Sequence, residues 1–264
     1  MTARILHLIE SLGPSSVARQ LTLAAAGLNQ TEFASRVATL RAARPESNRT
    51  WTAELVAAGV TVYDCGGRWP VDPRVMARLG QLLRTWQPDV IHTWDAASAI
   101  YAHLALTGVS KVAHVTSRRT WLGGSRIPRT LDNLVVRSAA ALITSSEVLA
   151  AEWRKRGTAS DKLRVIASGV RPAAPPCTTR AQLLAELGLP GPVRLMGCIG
   201  ELTVDKRIKD VIWAADLLKV VRDDVHLLII GDGPHRARLE RFRDQVRIAD
   251  KVHFLGERSD VPRQ

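Results

Sequence analysis

Leu227-Leu228-Ile229-Ile230-Gly231-Asp232-Gly233-Pro234 decides the fold class of this chain. Four aliphatic residues in a row read as a strand buried on both faces, the habit of a parallel sheet. The two glycines allow a tight turn and a close backbone approach, and Pro234 suits the first position of a helix. A strand that leaves through a glycine turn into a helix is the building unit of α/β architecture. Two more junctions have this composition. Glu10-Ser11-Leu12-Gly13-Pro14-Ser15-Ser16 follows the aliphatic run from Ile5 to Ile9, and Gly200-Glu201-Leu202-Thr203-Val204-Asp205-Lys206 follows a run ending at Ile199. Such loops deliver backbone N–H groups at a helix start, where phosphate binds. Lys206 is expected in the first turn of the helix behind the second loop, facing that anion. Taken singly, each loop is also what the topology of any such fold requires.

Working outward, short β-branched or aliphatic runs alternate with amphipathic stretches. Strands are predicted at 4–9, 33–40, 60–64, 89–93, 111–116, 140–144 and 163–166, with helices at 16–28, 50–58, 73–86, 96–107, 128–138 and 146–157. Asp72 caps a helix opening on Pro73, and Gly157 ends the helix carrying Trp153. After Ile166 the texture changes: Ser168-Gly169-Val170-Arg171-Pro172-Ala173-Ala174-Pro175-Pro176 continues neither a helix nor a central strand and reads as a linker. A second series follows, with Thr179 capping a helix through Leu187, strands at 193–199, 225–231 and 252–255, and helices at 206–222 and 234–247. The fold class is α/β, two doubly wound Rossmann-like domains at 1–167 and 179–264 joined by a linker at 168–178. The second holds three strands where such domains usually have about six, so it is expected to be incomplete.

Composition narrows the class. The chain has 264 residues, 46% hydrophobic and 23% charged, an ordinary globular balance. No apolar run approaches the length of a spanning helix, and the first one breaks at Glu10, too soon for a signal peptide. Cys65, Cys177 and Cys198 are an odd, widely spaced set without a C-x-x-C pair, so neither a disulfide framework nor a zinc site is indicated and a reducing, cytoplasmic location is expected. The net charge of +12 falls mostly on residues 1–170, with 21 Lys and Arg against 12 Asp and Glu. Such a field favours an anionic partner. However, 30 of the 37 basic residues are Arg scattered singly, as a coding bias would scatter them. No aromatic-interleaved basic strand or DNA-reading motif is present, so nucleic acid is not expected as a partner.

Three blocks, Gly200-Glu201-Leu202-x-x-x-Lys206, Leu228-Ile229-Ile230-Gly231-Asp232-Gly233-Pro234-x-Arg236-x-x-Leu239-Glu240 and Val252-x-Phe254-Leu255-Gly256-x-Arg258-x-Asp260-Val261, resemble in order and separation the donor domain of family 4 glycosyltransferases. The first half agrees through Ile5 to Ile9, Pro88-Asp89-Val90-Ile91-His92-Thr93, Ala140-x-Leu142-Ile143-Thr144-x-Ser146 and Val165-Ile166-x-x-Gly169-Val170. The resemblance implies a GT-B architecture, an acceptor-side domain and a nucleotide-sugar domain facing across a cleft. It also implies transfer of a hexose from a UDP- or GDP-sugar with retention and without a cofactor or metal ion.

By that resemblance Lys206, Gly13, Gly200 and Arg207 are the diphosphate-binding candidates, and Gly231, Asp232, Gly233 and Leu255 the nucleotide-binding ones. Glu201 stands where relatives carry an arginine, and Arg207 where they carry a glycine. After the strand at 111–116, where many relatives have a histidine near the sugar, this chain has Ser117-Arg118-Arg119. His92 and His114 are the nearby histidines, although a lone histidine on a strand is more often a satisfied core or rim residue. His92 and Arg118 are the catalytic candidates. The acidic donor-contacting motif of relatives lies beyond Gln264, so an inactive fragment with an exposed sheet edge is expected. The acceptor is a glycan, lipid or small molecule. Arg118, Arg119, Arg126 and Arg129 either hold an anionic lipid or growing cell-envelope polysaccharide at the inner face of a membrane, or only solvate a loop. Alternatives are a binding module without catalysis and a nucleotide-sugar epimerase of the same fold.

Overall fold

The computed structural model describes residues 2–13, 15–28, 30–41, 49–68, 72–107, 111–119, 128–171, 179–189 and 191–258. The chain divides into two compact units, Met1–Gly169 and Val170–Gln264. Most of the expected linker, with Cys177, lies outside the described residues, as do Pro14, Arg126 and the stretch from Asp260.

In the first unit, strands and helices alternate throughout: β1 (Ala3–Ile9), α1 (Ser16–Gly27), β2 (Phe33–Arg41), α2 (Arg49–Ala57), β3 (Thr61–Gly67), α3 (Pro73–Trp86) and β4 (Val90–Thr93). The series continues with α4 (Ala96–Ala105), β5 (Ala113–Arg118), α5 (Arg129–Ser138), β6 (Ala141–Thr144), α6 (Glu147–Lys155) and β7 (Leu163–Val165). The seven strands form one sheet in the order β3-β2-β1-β4-β5-β6-β7, parallel at every pairing. β1 is central, and its alternation feeds two cores. Leu6 and Leu8 pack on one face with Leu40, Leu79, Ile91 and Tyr101. Ile9 packs on the other with Leu21, Val37, Leu55 and Trp94. Such burial on both faces explains the nearly unbroken apolar run. Successive strands build outward from β1 in one direction as far as β3, then in the other from β4 to β7. The switch therefore falls between β1 and β4, the place where open α/β sheets hold their ligands, beside the carboxyl ends of the strands.

The second unit holds α7 (Arg180–Glu186), β8 (Arg194–Ile199), α8 (Ile208–Lys219), β9 (Val225–Ile230), α9 (Arg236–Gln245) and β10 (Val252–Gly256). Its strands run parallel in the order β10-β9-β8. The core joins Leu202, Ile208, Ile212, Leu227, Ile229, Leu239 and Val252. Among the described residues β8 pairs only with β9, and Ile199 at its end is 65% exposed.

Two helix starts differ from the sequence reading. Lys206 closes a 3-10 turn, Val204–Lys206, and Arg207 adopts the left-handed conformation at φ 53°, ψ 33°, so α8 opens only at Ile208. The His235 N–H donates to the Leu202 carbonyl at 3.0 Å, which holds Pro234 and His235 in a turn and delays α9 to Arg236. Lys206 therefore precedes the first helical turn, and Pro234 is not its first residue. β5 also runs two residues further than expected, through Arg118, which sets the direction of that side chain.

The α3 cap follows the sequence reading: Asp72 accepts from the Arg74 N–H at 3.0 Å, and Pro73 opens the helix. The Asp72 N–H donates to the Tyr101 hydroxyl at 2.6 Å, tying α3 to α4. The Arg74 guanidinium, with help from the Arg68 N–H, holds the Asp72 carboxyl well below the usual carboxylate range. Its contribution is then complete above the unfolded value near pH 4 and is lost as pH falls through the lower folded value. Urea unfolding of the first unit followed from pH 5 down to pH 2 is expected to show a shallower loss of stability in Asp72→Asn than in the parent chain. Parallel pH profiles would show that the cap carries no such linkage.

Candidate functional site

In the second unit three glycines end the three strands at the carboxyl edge, and their turns are laced together through the backbone. The Gly200 N–H donates to the Ile230 carbonyl at 3.0 Å, the Gly231 N–H to the Gly256 carbonyl at 2.7 Å, and the Leu202 N–H to the Asp232 carbonyl at 3.0 Å. Gly231 sits at φ 129°, and a Cβ there would lie 2.0 Å from the Gly200 carbonyl oxygen. A Cβ on Gly233 would lie 2.7 Å from the Leu202 oxygen. These two positions are glycine because the neighbouring turn occupies the space. Gly200 differs: a Cβ there would meet nothing within 4 Å, and one on Gly13 would meet only the Ser11 hydroxyl at 3.7 Å. The space beside those two glycines is open.

Around this edge, Lys206 is paired with Asp205 at 3.4 Å, both side chains being more than half exposed. Arg207 gives its guanidinium to Asp210, with contacts of 2.6 and 2.5 Å. It is thus committed to an ion pair at the start of α8. Among the described residues no cation pairs with Glu201. Asp232 serves its own turn: its carboxylate accepts from the Gly233 N–H at 2.7 Å and from Arg236 at 3.0 Å, which together hold its pKa below the ordinary value. Leu255 lies at the irregularity of β10 between Phe254 and Gly256, beside the Gly231 turn. Lys206, Gly200, Gly231, Gly233 and Leu255 are therefore brought to one edge. Among the described residues α5, α8 and α9 have no side-chain cap, whereas α1, α3, α4, α6 and α7 are capped by Ser15, Asp72, Asp95, Ser146 and Thr179. The two helices behind the glycine turns keep their first N–H groups free of side-chain acceptors.

In the first unit, Asp95 closes the switch point. One carboxylate oxygen accepts from the Glu10 N–H at 2.6 Å and the other from the Ser98 N–H at 2.7 Å, so the end of β1 is tied to the start of α4. Arg118, a catalytic candidate by sequence, is buried. β5 alternation turns it inward, where its guanidinium reaches Asp132 at 2.7 Å, the Thr116 hydroxyl at 2.6 Å and the Ser117 carbonyl at 3.0 Å. With 4% of its surface exposed, Arg118 joins β5 to α5.

His92 is half-buried. Its Nε2 lies 2.8 Å from the Ser117 hydroxyl and its ring is tilted against Trp94, the centroids 4.4 Å apart. Burial first, then His7, Arg119 and His114, hold its pKa well below the ordinary value, so it acts as a neutral ring. On the neighbouring strand His7 accepts the Trp94 indole N–H at Nδ1, 3.2 Å away, which leaves its buried Nε2 without a partner among the described residues. Burial pushes the His7 pKa down to about 4. The cation at this edge is Arg119. Half-buried, it lies 5.3 Å over the Trp94 ring and donates to the Ser168 hydroxyl at 3.2 Å, with its buried Nε unpartnered among the described residues. Desolvation lowers its pKa, yet a guanidinium keeps its charge. The Asp95-x-x-Ser98 spacing ahead of an apolar helix was a readable capping signal. The division of labour between Arg118 and Arg119 had none, because it depends on where β5 ends.

Residues 17–174 match the profile of Glycosyltransferase Family 4, and residues 179–263 match that of the glycosyl transferases group 1. Similar curated proteins include the lipopolysaccharide core biosynthesis glycosyltransferase LpsD of Rhizobium meliloti, 24% identical over 214 residues, covering 79% of this chain and 55% of LpsD. Another is the 2-deoxystreptamine glucosyltransferase of Streptomyces kanamyceticus, 28% identical over 228 residues, covering 79% of this chain and 54% of that protein. The chain thus spans about half the length of these relatives. The crystal structure of Anabaena HepE in complex with UDP shares the fold at TM-score 0.77 and 17% identity, over 98% of this chain and 70% of HepE.

Two outcomes separate packing from ligand roles. Gly231→Ala is expected to cost about 3 kcal/mol or more in chemical denaturation, since the clash is with backbone. Gly200→Ala is expected to stay within about 0.5 kcal/mol of the parent while weakening nucleotide binding in calorimetry. Equal stability losses would mean that both glycines serve packing alone. For His7, a folded pKa below the unfolded value means the unfolded chain takes the proton first, so stability falls as pH drops from about 6.5 toward 4. His7→Gln should flatten that limb, and the parent His7 ring should titrate near pH 4 by NMR. A midpoint above 6 would contradict the burial.

Proposed function

The chain belongs to Glycosyltransferase Family 4, and from that premise we propose that it transfers a hexose from a UDP- or GDP-sugar to a glycan, lipid or small-molecule acceptor, with retention and without a metal ion. The observation that carries this reading is the laced pair of turns at Gly200 and Gly231, with Lys206 beside them and the uncapped starts of α8 and α9 behind. As the glycosidic C–O bond breaks, negative charge gathers on the diphosphate. Lys206 and the first N–H groups of α8 stabilise that charge without rearranging. The open space beside Gly200 lets phosphate oxygens approach the backbone, and Leu255 with the Gly231 turn borders the nucleoside. Glu201, which has no cation paired with it among the described residues, opposes the same charge.

The first unit supplies the acceptor side. Arg119, held on Trp94, favours an acceptor bearing an anionic group, while the neutral His92 with Ser117 offers hydrogen bonds rather than charge. The protein works in the cytoplasm, in part at the inner face of the membrane. A second reading, a nucleotide-sugar-binding module without catalysis, is favoured by Glu201 alone.

The test is calorimetric titration of UDP, UDP-glucose, GDP and GDP-mannose, with release of nucleoside diphosphate measured in parallel. Lys206→Ala is expected to weaken nucleotide binding about tenfold, the worth of one charge-assisted contact, and EDTA should leave binding unchanged. Binding of a nucleotide sugar without release, by this chain and by any longer protein that contains it, would favour the module. Absence of binding to all four would overturn both readings.

A further inference from the structure

A helix lying on a sheet is expected to turn a polar face to water. The inner face of α8 obeys the pattern, with Ile208, Ile212 and Ala215 buried. Its outer face does not. Trp213 is 57% exposed and Leu217 58%, and just past the helix end Val220 and Val221 are 82% and 80% exposed. Positions 213, 217 and 220 follow one another at helical spacing, so the large apolar side chains form a stripe along the outward side.

Beside this stripe a groove of about 650 Å³ runs between α8 and α9. Its lining includes the apolar Ile208, Leu239 and Phe242 and the cationic Arg207, Lys209, Arg238 and Arg241, and no described lining residue is acidic. Lys209 lies 4.5 Å over the Phe242 ring and is one helical turn before Trp213, so groove and stripe adjoin. The two acidic residues of α8 nearest this face are already paired, Asp210 with Arg207 at 2.5 Å and Asp216 with Lys219 at 2.8 Å. The Arg238 guanidinium has no partner among the described residues. Thr203, Val204 and Arg207 put one end of the groove against the loop after β8, while Gly200, Lys206, Gly231, Gly233 and Leu255 do not line it.

We propose that the outer face of α8 and the adjoining α8–α9 groove dock on an anionic phospholipid bilayer. Tryptophan and aliphatic side chains on a convex face suit the boundary between headgroups and acyl chains, and the neighbouring cations meet lipid phosphates. Nucleic acid would satisfy the cations but leave Trp213 and Leu217 in water. A soluble phosphate ester would fill the groove and leave the stripe bare. The assignment deepens the membrane part of the proposed function and places the attachment on the second unit rather than on the arginines around α5.

The experiment is co-sedimentation of the 264-residue chain with vesicles of phosphatidylcholine, with and without phosphatidylglycerol, alongside UDP calorimetry on the same preparation. Binding is expected only with phosphatidylglycerol present and is expected to weaken as salt rises. Arg238→Ala should lower the partition coefficient about fivefold, and Arg238→Ala with Arg241→Ala about 25-fold, from the typical contribution of a basic residue at such a surface. Arg238→Lys should restore the single loss, Trp213→Ser should weaken binding at every salt concentration, and Arg129→Ala on α5 should change nothing. UDP affinity should be the same in all of these variants, so loss of nucleotide binding alone would count against the donor reading and not against this one. No binding, equal binding to phosphatidylcholine alone, or a loss caused by Arg129→Ala and not by the α9 variants would overturn the proposal.

Discussion

The second unit is organised around a contact in which one backbone occupies the place of another's side chain. The Gly200 carbonyl lies where a Cβ of Gly231 would be, and Leu202 lies where one of Gly233 would be. With no side chains between them, the loops after β8 and β9 can exchange the hydrogen bonds that unite them, and β10 joins through Gly256. This contact brings Lys206, Gly200 and Leu255 to one edge, and the tie from His235 to Leu202 fixes where α9 begins. Larger side chains at 231 or 233 would separate the turns, and the candidate site would lose its shape together with part of its hydrogen bonding.

The first unit solves a comparable problem with polar side chains. Asp95 joins the end of β1 to the start of α4, and Arg118 joins β5 to α5 through Asp132. Burying a charged pair is costly, and removing one partner strands the other, so this edge tolerates little change. Between those ties lies an aromatic layer of His7, His92 and Trp94, with Arg119 stacked over it. Low-dielectric surroundings keep both rings neutral, leaving the guanidinium as the charge this layer presents.

The fold was largely legible in the sequence because its strongest signals are local. The aliphatic run at 227–230 and the alternation of strand and helix depend on periodicity and burial, and caps such as Asp72 before Pro73 depend on short-range chemistry. The site was less legible where long-range contacts decide. Nothing near Pro234 announces that His235 is tied to Leu202, so local signals put the start of α9 two residues early. Nothing in Ser117-Arg118-Arg119 says that the strand runs through Arg118, and a shift of that size decides which arginine is buried. The neighbours of His92, His7 on β1 and Ser117 on β5, are distant in sequence, so its hydrogen bond and half-burial have no local signal.

Arg207 shows what a single unusual backbone conformation entails. A residue with a side chain in the left-handed region carries a local energy of about 1 kcal/mol that glycine would not. The chain accepts that handicap at the mouth of α8 and gains a guanidinium anchored to Asp210. Robustness and charge therefore pull in opposite directions at this position: a glycine would make the molecule hardier and the groove less cationic, an instance of the compromise between endurance and activity that functional surfaces impose.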